Sequence, residues 1–399
     1  MEPASAHAKS LLALTLTHGL GPVLIARLLD AFGPPDAVLG LTAMQLERVK
    51  GIGAGKSSAI AAALADAPSL VEAELGRVES AGARIVAKGE PGYPPLLTQI
   101  PNPPPLLYIR GGLAPLSDDR FPVAIVGSRH CSPYGLEQSE RFAGIFARAG
   151  LTVVSGGARG IDTAGHRGAV RSSGRTVVVL GCGLGHTYPP ENAELFDRVL
   201  GLGGSIISEL PMDTAPTPEN FPPRNRIISG MSLGVLVIEA AVGSGALITA
   251  KLAAEDHGRE VFAVPGRVDS PTSRGTHELL KSGGALLVTD PGDVIQALEI
   301  PANHLASGTH RDRYTPQLFG ADPPTPASAS AGVPRPADRP PDHPVIDRPD
   351  ALLEALVSPA TLDQLLTRTG LAVAELRARL TMLELQKRVK RSGSVFERR

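Results

Sequence analysis

Two loops of the sequence combine glycine, serine and arginine in a way that suits phosphate binding. The first follows an apolar run, VAIVG (123–127), and consists of Ser128 and Arg129 with a Ser-Pro pair at 132–133. Serine followed by proline is typical of a helix N-cap and first turn, so free backbone N–H groups are expected beside the arginine. Because such N–H groups bind anions, we predict a phosphate site here.

The second loop is SGGARGID (155–162), which also follows an apolar run. Its glycines permit close backbone approach to a ligand, and its arginine supplies a second cation. The candidate residues are Ser155, Gly156, Gly157, Arg159 and Gly160. Glycine is also what a tight strand-to-helix connection requires, so this loop alone does not decide between ligand binding and packing.

A third segment, ENFPPRNRIISG (219–230), places Arg224, Asn225 and Arg226 directly before a helical apolar pattern. If the segment lies at the same sheet edge as the two loops, its arginines add to the phosphate site. A solvated run of charges is the alternative interpretation.

Three further candidate residues lie at the next strand end. Glu239 ends an apolar run, and Ser244 and Gly245 begin the helix that follows. A carboxylate at this place can act as a base or orient an arginine. Because no partner nucleophile accompanies Glu239, we expect a structural ion pair.

Two glycine patterns resemble nucleotide-binding motifs but depart from them. GIGAGKS (51–57) is one residue short of a Walker A loop and no strand precedes it. GCGLGH (181–186) lacks the third glycine spacing of a dinucleotide-binding turn and an acidic residue for the ribose. Cys131 and Cys182 have no metal-ligand spacing. We therefore expect no cofactor and no metal.

The candidate residues must be positioned by elements that alternate between strand and helix from about residue 121 to residue 300. The short apolar runs are VAIVG (123–127), LTVVSG (151–156), TVVVLG (176–181), SIISEL (205–210), LGVLVIEA (233–240), EVFAVPG (260–266) and ALLV (285–288). Each is predicted to be a buried parallel strand. The pattern predicts a doubly wound, Rossmann-like α/β domain, which binds ligands outside the carboxyl ends of its strands.

Composition shifts divide the chain into four segments. We predict a helical head (1–78), the Rossmann-like centre (79–300), a linker (301–344) that holds ten prolines, and a tail (345–399). A softer Pro/Gly-rich stretch at 91–113 separates head from centre.

The head and the tail each combine a helical pattern with basic residues. The head has two glycine-hydrophobic-glycine turns, GLG (19–21) and GIG (51–53), which are typical of an all-α helix-hairpin-helix (SAM-like) domain. Lys50 and Lys56 beside the second turn suit a DNA phosphate, although such a hairpin can also serve packing or protein contact. The tail joins two helical patterns to VKRSGSVFER (389–398), a winged-helix arrangement that binds duplex DNA or only protein.

Length, charge and composition exclude several classes of protein. A chain of 399 residues with 42% hydrophobic content is too large for a disulfide scaffold and contains several cores. Its 39 basic and 40 acidic residues exclude a protein that coats nucleic acid by net charge alone. Neither a cleavable leader nor a membrane span is evident, so we expect a cytoplasmic protein without membrane contact.

Seven motifs, in their order and spacing, resemble the DNA-processing protein A family (DprA, also called Smf). They are VAIVGSR, SGGARGID, GCGLGHTYPPEN, FPPRNRIISG, VIEA, SGALITA and EVFAVPG, which lie between about residues 80 and 295. The resemblance implies a protein without enzymatic turnover that binds single-stranded DNA in its centre and forms a homodimer through that domain. It also implies protection of incoming DNA and loading of the recombinase RecA during natural transformation.

The resemblance also assigns residues to a DNA pocket. Carried over by motif, these are Ser128, Arg129, Gly156, Arg159, Asn225 and Arg226, with His186, Tyr188, Asn192 and Phe196 around the third strand. Single-strand binding needs cations along the phosphates and flat surfaces for the bases. Tyr188 or Phe196 is expected to stack a base, although an aromatic at the position of Phe196 is equally typical of a core.

Two other functions are weighed against this one. Nucleotide phosphoribohydrolases share the Rossmann-like class and its glycine-rich strand ends, but their PGGxGTxxE motif is missing here. The second alternative is a transcriptional regulator that senses a nucleotide in the centre and acts through the tail. This hypothesis is weaker, because the proline-rich linker couples the two parts poorly.

Overall fold

The structure, a computed structural model, describes residues 4–112, 121–306, 310, 356, 360–369, 389–392 and 395–398. The chain divides into two compact units, Met1–Ala321 and Asp322–Arg399. The first unit contains the head and the α/β centre, and the second contains the tail. Within the described ranges, no helix has the length and apolar character that crossing a lipid bilayer requires.

The head is all-helical, as predicted. Its helices are α1 (Ala6–Leu16), α2 (Pro22–Phe32), α3 (Pro35–Leu39), α4 (Ala43–Leu46) and α5 (Ala54–Ser80). Both glycine-hydrophobic-glycine turns end directly before a helix, and Gly21 and Gly53 are the N-cap residues of α2 and α5. The GIGAGKS segment therefore starts a helix of the hairpin and is not a P-loop after a strand.

A nine-stranded sheet forms the centre, in the order β1-β2-β6-β5-β4-β3-β7-β8-β9. The strands are β1 (Ala83–Ala87), β2 (Leu106–Gly111), β3 (Pro122–Val126), β4 (Thr152–Ser155), β5 (Thr176–Val179), β6 (Ser205–Ser208), β7 (Gly234–Val237), β8 (Glu260–Ala263) and β9 (Leu286–Leu287). All seven predicted runs form strands, and every neighbouring pair from β6 to β9 is parallel.

Helices cover both faces of this sheet, so the predicted doubly wound class is confirmed. They are α6 (Pro133–Arg148), α7 (Ile161–Arg171), α8 (Ala193–Gly201), α9 (Phe221–Gly230), α10 (Gly245–Lys251), α11 (Arg274–Lys281) and α12 (Pro291–Ala306). Alternate residues of one strand point to opposite faces. Accordingly Ile125 packs in a cluster with Phe142 of α6, and Val126 in a cluster with Ile227 of α9.

Two strands lie outside the predicted set. β2 pairs antiparallel with both β1 and β6 and extends the sheet at one edge. The Pro/Gly-rich stretch at 91–113 concealed β2, but its prolines stop at Pro105. From Leu106 onward every residue has a backbone N–H for the sheet ladder, which is why a strand can begin there.

The other end of the centre also departs from prediction. β9 lies at the sheet edge, and its residues Leu286 and Leu287 are 52% and 58% exposed, so the prediction of a buried strand is wrong for this run. α12 continues to Ala306, six residues into the predicted linker. Pro301 and Ala302 are buried in this last part of the helix, and their burial offsets the hydrogen bond that proline removes.

The tail contains β10 (Ala360–Thr361), α13 (Leu362–Thr369), β11 (Val389–Ser392) and β12 (Val395–Arg398). The strands form an antiparallel sheet in the order β10-β12-β11. The first helix and the hairpin agree with the predicted winged helix. The second helical pattern, which includes Leu376, Leu380 and Leu383, lies outside the described residues, as does most of the linker.

Candidate nucleic-acid interface

A pocket of about 520 Å³ opens at the carboxyl ends of β3 and β7. The strand order reverses at this point, because β4 to β6 lie on one side of β3 and β7 to β9 on the other. Open α/β sheets bind ligands in such a crevice. The predicted site residues that line it are Ser128, Arg129, Tyr188, Arg224, Asn225, Ser244 and Gly245.

An arginine and two aromatic rings form one wall of the pocket. The guanidinium carbon of Arg129 lies 4.9 Å from the centre of the Phe221 ring, and the Tyr188 ring centre lies 5.6 Å from that of Phe221. Arg129 is exposed and forms no ion pair with any residue that the structure describes. The wall therefore offers a ligand both an unneutralised positive charge and a flat apolar surface.

Glu239 holds the first loop in place. Its carboxylate accepts hydrogen bonds from the backbone N–H of Ser132 at 2.8 Å and from the Ser132 hydroxyl at 2.6 Å. Ser132 is the N-cap of α6, as predicted, and its Oγ accepts a bond from Gly135. The predicted ion pair of Glu239 is wrong. The helix start satisfies its carboxylate, and no lysine or arginine in the described part of the chain pairs with it.

Arg224 is part of the pocket floor, where it serves the protein itself. Its side chain is buried, and Nη1 donates to the carbonyl oxygens of Gly156 and Val179 at the ends of two strands. Burial lowers the pKa of Arg224 to about 10, an effect that the nearby Asp162 carboxylate opposes. The carbonyls engage Nη1 of the guanidinium, whereas Nε has no partner among the described residues, so a phosphate contact of Arg224 stays a prediction.

Arg226 is also engaged within the protein. Its Nη2 donates to both carboxylate oxygens of Glu209, at 2.6 Å and 2.8 Å. The two side chains are only 15% and 12% exposed. Burial raises the pKa of Glu209, and the guanidinium of Arg226 counteracts that rise. Arg226 does not line the pocket and its charge is paired with Glu209, so its contact with a phosphate stays a prediction.

Three other predicted residues lie in the interior. Ser155 Oγ donates to the carbonyl of Ile125 at 2.6 Å, and Asn192 Nδ2 donates to the carbonyl of Gly157 at 3.0 Å. Phe196 of α8 is 3% exposed and packs in the hydrophobic core. Ser155, Asn192 and Phe196 are therefore structural, and the prediction that Phe196 stacks a base is wrong.

The glycines of the second loop serve close packing. Gly157 and Gly160 have φ of +65° and +77°, and a Cβ on Gly160 would lie 2.4 Å from the carbonyl oxygen of Ser128. Gly156 is buried, and a Cβ there would overlap the guanidinium of Arg224. None of these three glycines lines the pocket. Close packing, which the sequence left open as an alternative to ligand binding, explains why glycine occupies these positions.

Two predicted residues lie outside the pocket with partners of their own. Arg159 is exposed and forms an ion pair with Glu191. His186 Nε2 lies 3.2 Å from the carbonyl oxygen of Asp213. Both are accessible at the protein surface, but neither lines the pocket.

Asn225, Ser244 and Gly245 also line the pocket. Asn225 Nδ2 donates a long hydrogen bond of 3.4 Å to the carbonyl of Gly245. The Oγ of Ser244 is buried and has no hydrogen-bond partner among the described residues. A buried hydroxyl without a partner is a polar group that a ligand can satisfy.

Phe221 and Asp162 both line the pocket but are not among the residues predicted from the sequence. Asp162 accepts hydrogen bonds from the backbone N–H groups of Gly156 and Ala158, and burial raises its pKa. Phe221 stands three residues before Arg224 at the start of α9, followed by prolines. An aromatic at an exposed helix start is a signal that could have identified it.

Lys50 and Lys56 lie on the head, outside the pocket. Both are exposed, and Lys56 is the third residue of α5, in its first turn. Both side chains are thus accessible beside the second glycine turn. No group of histidine, cysteine, aspartate and glutamate within the described ranges is suited to hold a metal ion.

A doubly wound sheet with a cationic, aromatic-walled pocket at its switch point, joined to a helix-hairpin-helix head and a winged-helix tail, defines a multidomain α/β protein whose pocket has the charge and the flat surface that suit a phosphate-bearing ligand. The family model of DNA recombination-mediator protein A matches residues 84–299, and that of the DprA winged helix domain matches residues 334–393. The chain belongs to the DNA recombination-mediator protein A family, which confirms the resemblance of its motifs. The winged-helix match begins within the predicted linker.

Relatives agree with this assignment. Protein Smf of Escherichia coli is 41% identical over 246 residues, which cover 62% of this chain and 65% of that protein. Protein Smf of Synechocystis sp. is 34% identical over 382 residues, which cover 94% of each. The X-ray structure of DNA processing protein A from Streptococcus pneumoniae superposes with a TM-score of 0.60 at 32% identity, covering 72% of this chain and 95% of that one.

Proposed function

We propose that the chain is a non-catalytic recombination mediator that binds single-stranded DNA in the central pocket. Arg129 over the Phe221 ring carries this proposal, because it unites the two contacts that an unpaired strand needs. A base stacks on the ring and a phosphate binds the guanidinium, which is free to turn away from the ring. Neither contact depends on which base is bound, so binding is expected to be independent of sequence.

Protection of incoming DNA and delivery to the recombinase RecA during natural transformation complete the proposed role. Membership of the recombination-mediator family supports it. A strand held by backbone phosphates and one wall of stacking residues remains reversible, as transfer to a recombinase requires.

The absence of turnover is part of the proposal. The pocket carboxylate, Asp162, is fixed by two backbone N–H groups and lies beside the buried Arg224. A second carboxylate at the strand ends, Glu239, caps α6. Neither is free to activate a water. A phosphoribohydrolase remains the competing function, and release of free base from a nucleoside monophosphate would establish it.

The proposed function is tested by fluorescence anisotropy of a labelled oligonucleotide with the full chain. If about three phosphates are held, the affinity is expected to fall about tenfold between about 50 and about 150 mM salt. Mononucleotide and duplex of equal length serve as competitors. Displacement of the strand by mononucleotide, or an affinity that salt leaves unchanged, would contradict single-strand binding in this pocket.

We further propose a homodimer through the centre. β9 is an edge strand whose Leu286 and Leu287 are 52% and 58% exposed, and Ile300 nearby in sequence is 62% exposed. An open ladder edge with apolar side chains is suited to pair with a second copy. Lys50 and Lys56 of the head, and the winged-helix tail toward duplex DNA, are proposed as accessory contacts.

Leu287→Asp is expected to convert the dimer to a monomer. A carboxylate buried in an apolar contact without a partner is unfavourable, so the dimer dissociation constant should rise at least about tenfold. Light scattering after size exclusion should then give a mass near the 41.4 kDa of one chain. Leu202→Asp, on another surface and 37% exposed, is the matched control. A dimer that survives Leu287→Asp would place the interface elsewhere.

A further inference from the structure

The loop between β6 and α9, residues 209–220, forms part of the pocket and leads into Phe221. Pro216 and Pro218 of this loop line the pocket. Phe221 begins α9 directly after the loop. The position of the stacking ring therefore depends on how the loop is held.

One side of the loop is held by the chain segment that follows β5. The N–H of Gly183 donates to the carbonyl of Thr214, and that of Gly185 to Met212, both at 2.9 Å. The same segment continues to Tyr188, whose ring contacts Phe221. These bonds therefore connect the segment that carries Tyr188 to the loop that leads into Phe221.

The other side of the loop is held by the head. Glu74 of α5 is 2% exposed, and its Oε1 accepts a hydrogen bond from the backbone N–H of Met212 at 2.7 Å. Its Oε2 accepts a bond from Arg77 at 3.1 Å, and Arg77 forms a second ion pair, 2.8 Å long, with Asp213. A buried carboxylate with these bonds fixes the backbone of the loop, which an apolar residue of the same size would not do.

We propose that Glu74 is a positioning residue that holds the pocket wall in its DNA-binding conformation, so that this residue of the head contributes to single-strand affinity without itself touching the strand. This inference rests on the proposed function. It assigns a role in the pocket to a residue of a separate helical segment. Loss of the Glu74–Met212 bond should leave Phe221 and Tyr188 less rigidly placed and weaken binding.

Two conservative variants test the bond itself. Glu74→Gln keeps an oxygen within reach of the Met212 N–H but loses the charge, whereas Glu74→Asp keeps the charge but is one methylene too short. The Asp variant is expected to bind single-stranded DNA about fivefold more weakly, within the range of mutations that act through an intervening element. The Gln variant should bind within about twofold of wild type. Glu72→Asp, exposed on the same helix, is the control.

A fluorescence reporter separates loop position from general stability. The chain has no tryptophan, so Phe221→Trp introduces one indole in the pocket wall. In this background, and well below the melting temperature, Glu74→Asp should make the indole more accessible to acrylamide, whereas Glu74→Gln and Glu72→Asp should not. A merely structural role for Glu74 would lower the melting temperature without changing the quenching of the folded protein.

The outcomes distinguish the two proposals. Unchanged affinity and unchanged quenching in Glu74→Asp would overturn the role of Glu74 while the proposed function stands. A loss of affinity in Glu74→Gln with full affinity in Glu74→Asp would also overturn it, since charge and not reach would then matter. If wild type fails to bind single-stranded DNA, the proposed function is contradicted, and the quenching measurement still decides whether Glu74 positions the wall.

Discussion

Replacement of Arg129 by alanine is expected to weaken binding of a single-stranded oligonucleotide about thirtyfold. A hydrogen bond to a charged group contributes about 1.5–3 kcal/mol, and a loss of about 2 kcal/mol, within that range, corresponds to this factor. Arg129 is the arginine of the pocket that no described carboxylate or carbonyl engages, so its whole charge is available to a phosphate. Anisotropy titrations of the full chain at low salt measure the change.

Two other arginines provide the controls for this prediction. Arg159 follows the neighbouring strand but pairs with Glu191, so Arg159→Ala should reduce affinity by only about twofold, as for an exposed, neutralised cation. Arg198→Ala removes an exposed arginine of α8, away from the pocket, and should have no effect. If the three variants lost affinity equally, binding would follow net charge, and the pocket would not be the DNA site.

The parts of the fold that repeat a regular pattern could be predicted from the sequence. Buried parallel strands are continuous apolar runs, and glycine and helical patterns separate these runs, so all seven parallel strands are predicted from the sequence, although β9 is exposed and not buried. β2 could not be identified in the same way, because its apolar run LLYIRG follows PNPPP and belongs to a proline-rich stretch. The pairing of β2 also depends on β6, which lies about a hundred residues later in the sequence.

The arginines illustrate the limit for the site. Arg129, Arg224 and Arg226 all lie near strand ends in glycine- or proline-rich segments, and nothing local distinguishes them. The difference comes from tertiary partners. Arg224 donates hydrogen bonds to the carbonyls of Gly156 and Val179, and Arg226 donates to the carboxylate of Glu209. These partners are brought together only by folding. The sequence therefore identifies the three candidate arginines, but it does not show that Arg129 is the one whose guanidinium is left available for a ligand.

The aromatic residues follow the same logic. Phe196 and Phe221 each stand at a helix near a strand end, but α8 turns Phe196 toward the core, where it fills the space beside Gly157. Phe221 lies in the first turn of α9, where its ring is partly exposed and faces the pocket. A helix start leaves its side chains near the strand ends, whereas the middle of a helix packs on the sheet. This difference favours Phe221 as the stacking residue.

Phe221→Ala is accordingly expected to reduce affinity for single-stranded DNA about thirtyfold. Stacking of a base on an aromatic side chain contributes about 1–3 kcal/mol, and removal of the ring loses this contact. The effect should depend little on salt, in contrast to Arg129→Ala, because no phosphate contact is removed. Anisotropy titrations at two salt concentrations distinguish the two variants.

The nature of the contact follows from the residues that can replace Phe221. Phe221→Trp keeps a flat π surface and should bind within about twofold of wild type, whereas Phe221→Leu keeps an apolar side chain without a ring and should lose nearly as much as alanine. Phe196→Leu is the matched control, because a buried ring in the core affects stability and not the pocket. Full affinity in Phe221→Leu would mean that the side chain only fills space, and the bases would then have to stack on Tyr188.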